Sequence, residues 1–170
     1  GDHFAQAIEV ITAASDEGVP IRLLGGLAVR YLCPAFPPRE RKGQDVDLAS
    51  VSSARADLTR FLEGRGFVPD KEFNALYGHK QMYFVSEGGG WALDVIIDRL
   101  DMCHVLDFRD RIERMPVTLD VTDLLLTKLQ IFEINEKDLQ DALYLLAAFP
   151  VGEPDEPGAI SPDHLCAIVC

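Results

Sequence analysis

The sequence predicts an α+β fold, a mixed sheet flanked by helices with a helical extension at its C-terminal end. Strand-like and helix-like segments intermix up to about residue 118. Two of the strand-like segments, HKQMYFVS (79–86) and WALDVIID (91–98), follow each other in hairpin order. After Pro116 the character changes, and apolar-striped helices take over. The expected organisation is a core over residues 1–118 and an extension over 119–170, forming one compact unit.

Each element has a local reason. Residues 3–17 read as a helix with Asp2 as its N-cap and Gly18 as its terminator. Pro20 introduces a short apolar strand, IRLL (21–24), broken by Gly25-Gly26. A second helix, roughly 27–33, carries Leu27, Val29 and Leu32 and stops before Pro34. The proline-rich segment 34–44 contains Arg39, Arg41 and Lys42 and reads as an exposed loop. DVDLAS (45–50) alternates polar and apolar residues as a half-buried strand does. Ser52 or Ser53 is placed to cap a helix running to Arg65, with Gly66 at its end. The turn residues EGGG join the two hairpin strands. Residues 122–134 and 136–148 are helices separated by Asn135 as a cap, and Gly152–Gly158 is a surface loop. Ser161-Pro162 starts a last helix. Its apolar end, HLCAIVC, lacks a stop signal, so the natural chain is expected either to continue or to pack this tail onto the body.

Composition narrows the function. Lys and Arg number 16 against 28 Asp and Glu, for a net charge of −12 over 170 residues. That balance argues against non-specific nucleic-acid binding, which needs clustered positive charge. It also disfavours docking on anionic membranes. Neither a signal peptide nor an apolar run of about 18 residues is recognised, so the expected compartment is the cytoplasm. The four cysteines do not form a disulfide framework, and Cys33 and Cys103 lie in apolar stretches as expected buried thiols. A zinc set would draw on His164, Cys166 and Cys170 with Cys103 or His104, but no tight Cys-x-x-Cys pair anchors it.

The informative chemistry lies in a string of elements. In a strand, alternate side chains share a face, so Asp45 and Asp47 point the same way with their Cα atoms about 6.6 Å apart. In WALDVIID, Leu93, Val95 and Ile97 form one face and Asp94 lies on the other. If these strands are neighbours, three carboxylates converge, and holding all three ionised requires a cation. Hard oxygen ligands of this kind suit Mg²⁺. The Gly25-Gly26 turn lets backbone N–H groups approach a phosphate at a helix N-terminus. Arg39, Arg41 and Lys42 precede the carboxylate strand, where they are placed to meet phosphate oxygens. Singly, each piece has a plain reading: a tight turn, a chance Asp-x-Asp, a solvated Asp94, a charged loop. Their order within one strand–turn–helix–loop–strand unit points to phosphoryl or nucleotidyl transfer.

The segment LLGGLAVRYLCPAFPPRERKGQDVDLAS resembles the signature of the nucleotidyltransferase superfamily related to DNA polymerase beta. It looks most like the small abortive-infection toxin and antibiotic-modifying branch. Gly25, Gly26, Ala28, Val29, Arg41, Asp45, Val46, Asp47 and Leu48 match that pattern, with Gly43 standing where Thr is usual. The resemblance continues through LDVIID and the helical region containing Lys128 and Lys137. It implies that Asp45 and Asp47 bind Mg²⁺ or Mn²⁺ ions holding an NTP triphosphate. Asp94 would join one metal and act as general base on an acceptor hydroxyl. Gly25 and Gly26 would line the phosphate turn, and Arg41, Lys128 and Lys137 would meet the nucleotide. Lys137 with Asp141 equally fits an ordinary i,i+4 ion pair. Asp98 reads as structural, and the run Asp107, Arg109, Asp110, Arg111 as a solvated face.

The leading expectation is an enzyme that moves a nucleoside monophosphate from an NTP to a hydroxyl of an unidentified acceptor, a small molecule, tRNA or a protein. A non-catalytic nucleotide-sensing or toxin–antitoxin-like module on the same fold, with a protein partner, is the alternative. A sugar-nucleotide glycosyltransferase reading of Asp-x-Asp is weaker, because only 44 residues precede Asp45.

Overall fold

A computed structural model describes residues 3–38, 45–130, 133–152 and 154–170 of the chain. At its centre is a five-stranded sheet of β1 (Arg22–Leu23), β2 (Asp45–Ser50), β3 (Phe67–Pro69), β4 (Gln81–Ser86) and β5 (Ala92–Ile97). The spatial order is β1-β2-β5-β4-β3. β2 and β5 run parallel, and the other pairings are antiparallel, including the expected β4–β5 hairpin. A two-stranded ribbon, β6 (Arg99–Asp101) and β7 (Val105–Asp107), follows. The helices are α1 (Phe4–Asp16), α2 (Gly25–Leu32), α3 (Arg55–Glu63), α4 (Lys71–Tyr77), α5 (Val121–Leu129), α6 (Glu136–Ala148) and α7 (Pro162–Val169).

Period-2 alternation decides which way the sheet faces. Val46 and Leu48 of β2, Met82 and Phe84 of β4, and Leu93, Val95 and Ile97 of β5 are all buried. They share one core with Ile11 of α1 and Leu58 and Leu62 of α3. Each large side chain removed from water there contributes roughly 1.5–3 kcal/mol. The intervening residues Asp45, Asp47, Gln81, Tyr83 and Asp94 are left on the opposite, open face.

The C-terminal helices are fastened to this core rather than appended. Residues 117–119 cover the outer edge of β1: Leu23 N–H donates to the Val117 carbonyl (2.7 Å) and Leu119 N–H to the Leu23 carbonyl (3.3 Å). α5 is buried around most of its circumference and contacts α2, α6 and α7. Its N-terminal turn carries an ion-pair cluster. Arg111 donates through Nε to both oxygens of Asp123 (2.8 and 3.0 Å) and through Nη1 to Asp155 (2.6 Å). Arg114 donates to Asp120 (2.7 Å) and Asp155 (3.0 Å). Asp120 also accepts the Val121 and Gly158 N–H groups at 2.8 and 3.1 Å, and His164 of α7 meets Asp123 at 3.0 Å. Four segments distant in sequence are thereby tied together.

Several expectations change. β1 has two residues rather than four, because Leu24 is already the extended N-cap of α2, which starts at Gly25 rather than 27. Neither Ser52 nor Ser53 caps α3; a 3-10 turn over Ser52–Ala54 leads into it, and Ser52 N–H donates to Asp98 Oδ1 at 2.8 Å. That bond gives Asp98 the structural role expected of it. β3 and α4 were not anticipated, yet Asp70 caps α4 by accepting the Phe73 N–H (3.0 Å). α5 stops at Leu129 instead of 134. Cys103 is exposed while Cys33 is buried. Arg111 is not on a solvated face but in the cluster above, whereas Arg109 and Asp107 do form an exposed pair. Asn135 and Ser161 cap α6 and α7 as expected. Asp2, as the expected N-cap, lies outside the described residues. No described helix is long and apolar enough to cross a membrane.

Candidate active site

The open face of the sheet gathers acids because of strand register. Asp47 of β2 pairs directly with Asp94 of β5, and Asp94 pairs in turn with Tyr83 of β4. Asp45 lies two residues before Asp47 and so on the same face. The three candidate carboxylates are therefore carried by adjacent strands whose spacing is about 4.8 Å. Asp45 and Asp47 are exposed, and Asp94 is half-buried.

The diglycine bend stands against this face. Leu24 N–H donates to the Asp47 carbonyl (2.8 Å), which ties the start of α2 to β2. Gly25 has φ +64°, and a Cβ built there would lie 2.7 Å from Asp47 Oδ2. Glycine is thus required twice, for its left-handed backbone and for the approach of the Asp47 carboxylate. No side chain caps the N-terminus of α2, whose first residues are Gly25 and Gly26.

Two donors from β4 bear on the acids. Gln81 Nε2 donates to Asp94 Oδ1 (2.5 Å), and the Tyr83 hydroxyl donates to Asp45 Oδ1 (3.3 Å). Burial raises the Asp94 carboxyl above the usual carboxylate range; the Gln81 bond opposes that rise and the charge of Asp45 adds to it. Tyr83 is likewise pushed up, first by burial and then by Asp45. Its backbone is fixed by Asn74, whose side chain accepts the Tyr83 N–H (2.7 Å) and donates to the Tyr83 carbonyl (3.1 Å). The Phe73 ring packs edge-on to Tyr83 with centroids 6.2 Å apart.

No protein-family description matches the sequence, and no curated protein matches it. Solved structures do match. The lincosamide antibiotic adenylyltransferase LnuA, in its lincomycin-bound crystal structure, superposes with a TM-score of 0.56 at 16% identity, over 82% of this chain and 94% of its own. The antibiotic-resistance factor ANT(2'')-Ia, solved in solution, gives a TM-score of 0.53 at 16% identity, covering 86% and 85%. An antigenic nucleotidyltransferase-like protein from Paracoccidioides brasiliensis gives 0.54 at 16% identity, covering 90% and 79%. The chain has the nucleotidyltransferase fold.

Within this nucleotidyltransferase fold, the remaining candidate residues are placed unevenly. Lys128 is buried on α5 and forms ion pairs with Asp138 (3.1 Å) and Asp141 (2.9 Å) of α6. Lys137 is exposed on α6, and the ion pair drawn from sequence for Asp141 is made with Lys128. Arg41, Arg39, Lys42 and Gly43 lie outside the described residues. His164 of the zinc set is engaged with Asp123, and Cys103, Cys166 and Cys170 are exposed.

The all-oxygen donor set on the sheet is the kind a hard divalent cation takes. The fit is one of donor type and position. Among the described residues, no three His, Cys, Asp or Glu side chains close around a metal position as they stand.

Sequence reasoning did not identify Gln81, Tyr83 or Asn74. For Gln81 and Tyr83 a signal existed, because HKQMYFVS alternates them with Met82 and Phe84 and so puts them on the polar face of the hairpin. Asn74 had none, since its role depends on α4 folding back against β4.

Proposed function

We propose that the protein transfers a nucleoside monophosphate from an NTP to a hydroxyl of an acceptor. The observation that carries this reading is the Asp47–Asp94 register pair, with Asp45 on the same face and the Gly25 bend against Asp47. The first turn of α2 offers uncapped N–H groups and the positive end of the helix dipole, which suit a phosphate. Arg41, Lys128 and Lys137 would serve the phosphates, Lys128 by exchanging a carboxylate of Asp138 or Asp141 for a phosphate oxygen. Asp45 and Asp47, with Asp94 alongside, would hold Mg²⁺ or Mn²⁺, whose charge would neutralise phosphate oxygens.

In the transfer, the acceptor oxygen forms a bond to the α-phosphorus as the bond from that phosphorus to the bridging oxygen of the β-phosphate breaks. Pyrophosphate leaves with the bond's electron pair, and the acceptor's proton passes to Asp94. A carboxyl above the usual range is better matched to this task, because its conjugate base is a stronger proton acceptor. The matched structures include an adenylyltransferase with lincomycin bound, which makes a small-molecule hydroxyl a fitting acceptor here too. The net charge of −12 favours a cationic small molecule or a protein over a polynucleotide. NTP-dependent chemistry also suits the cytoplasm expected from the sequence.

Isothermal titration with each of the four Mg-NTPs tests the binding half. At least one is expected to bind with a Kd below about 1 mM, equivalent to about −4 kcal/mol. No binding by any of them overturns the reading. Incubation with α-³²P-labelled NTPs and a cell extract then identifies the acceptor by what becomes labelled. The non-catalytic alternative predicts nucleotide binding with no label transferred.

A further inference from the structure

The Asp94 carboxylate is held by a neutral donor from the next strand. Gln81 pairs with Ile96 across the β4–β5 ladder and Tyr83 with Asp94, so Gln81 is the diagonal neighbour of Asp94 on the open face. Diagonal positions are within reach of long side chains only, and the Gln81 amide spans the gap to donate to Asp94 Oδ1 at 2.5 Å. The amide's orientation follows from chemistry, because the reverse would set its oxygen against a carboxylate oxygen.

Two consequences separate this contact from an ordinary surface hydrogen bond. A carboxylate rotates readily about its terminal torsion, and a donor held on Oδ1 restrains that rotation. The donor is also uncharged. Lys128 neutralises Asp138 and Asp141 directly, whereas an amide orients Asp94 and leaves its negative charge in place. Both properties are what a proton-accepting carboxylate needs. We propose that Gln81 is a positioning residue for Asp94, orienting its carboxylate without neutralising it; this rests on the transferase reading above.

The test uses Gln81→Met, which keeps length and loses the donor, and Gln81→Glu, which keeps shape and faces Asp94 with a second acid. Rates are read as α-³²P label incorporated into cell-extract acceptor at varied NTP. Gln81 is half-buried, and both variants are expected to keep a melting temperature near that of the parent. The expected result is a fall in kcat of about 10- to 100-fold for Gln81→Met and more for Gln81→Glu. NTP affinity by calorimetry stays within about twofold. A space-filling role for Gln81 predicts instead that Gln81→Met keeps kcat within about twofold, and that result overturns the proposal.

An independent readout needs no turnover. The Gln81 side-chain amide protons, observed by NMR, are expected to sit away from the shifts of a solvated glutamine and to move towards them in Asp94→Ala. An amide signal indifferent to Asp94→Ala overturns the contact itself. If that signal responds while the parent protein labels no acceptor with any NTP, the transferase reading has failed, and the positioning role falls with it although the contact stands.

Discussion

Asp45, Asp47 and Asp94 occupy the open face of the sheet, whereas Asp120, Asp123 and Asp155 are gathered beneath Arg111 and Arg114 at the start of α5. The residue type is the same, and Asp94 is treated differently from the α5 set. In the second cluster, Arg111 is partly buried and burial alone would lower its pKa, but the hydrogen bonds to Asp155 and Asp123 and the charges of both together outweigh that and raise it. Asp155 is correspondingly lowered, chiefly by the Arg111 hydrogen bond, with the charges of Arg111 and Arg114 adding to it. These charges are consumed in holding four chain segments together. On the sheet, Asp94 is met by an amide and Asp45 by a phenol, both uncharged. Asp94 is pushed up in pKa, chiefly by burial. The fold commits one set of aspartates to arginine ion pairs and, in the other, meets Asp94 with an uncharged amide.

The contrast can be broken by exchanging what each cluster is asked to do. The double variant Asp45→Asn/Asp47→Asn is expected to lower label transfer by at least about a thousandfold. Its melting temperature should stay near the parent's. A large loss of stability would mean that these acids are structural. Asp120→Ala should behave in the opposite sense. It leaves two partly buried arginines and two backbone N–H groups short of an acceptor, and denaturant unfolding should show a loss of about 3–5 kcal/mol.

Smaller effects sharpen the same contrast. Gly25→Ala should cost about 1–2 kcal/mol for its left-handed φ, and should weaken NTP binding by displacing the Asp47 carboxylate 2.7 Å from the new Cβ. Thermal unfolding with pH isolates Asp155. Its folded pKa is depressed, so its contribution is fully present above the ordinary Asp value of about 3.9 and is lost as pH falls through the folded value. Asp155→Asn should therefore melt lower than the parent near neutral pH, with the gap closing below about pH 4. A gap independent of pH would contradict the assigned ion pairing.

Much of the sheet face was legible because it obeys local rules. DVDLAS and WALDVIID announce their own alternation, but that their strands are parallel neighbours with Asp47 opposite Asp94 came from the fold. The diglycine bend was equally visible, although α2 begins two residues sooner than the apolar pattern indicates, because Gly25 and Gly26 form its first turn. The α5 cluster was illegible for the opposite reason. Nothing within RDRIER distinguishes Arg111 from a solvated charge, since its partners come from residues 120, 123 and 155. Lys128 and Lys137 show the same limit: spacing placed both on helices, but only packing decides that Lys128 is the one turned inward against Asp138 and Asp141.

The most direct measurement is paramagnetic broadening of the amide spectrum on titrating the protein with Mn²⁺ and a non-hydrolysable NTP analogue. Broadening centred on residues 25–27, 45–47 and 94, with the amides around Asp120, Asp123 and Asp155 left sharp, is the predicted result. Broadening that centres on the Arg111 cluster, or none at all at the sheet face, would contradict the account.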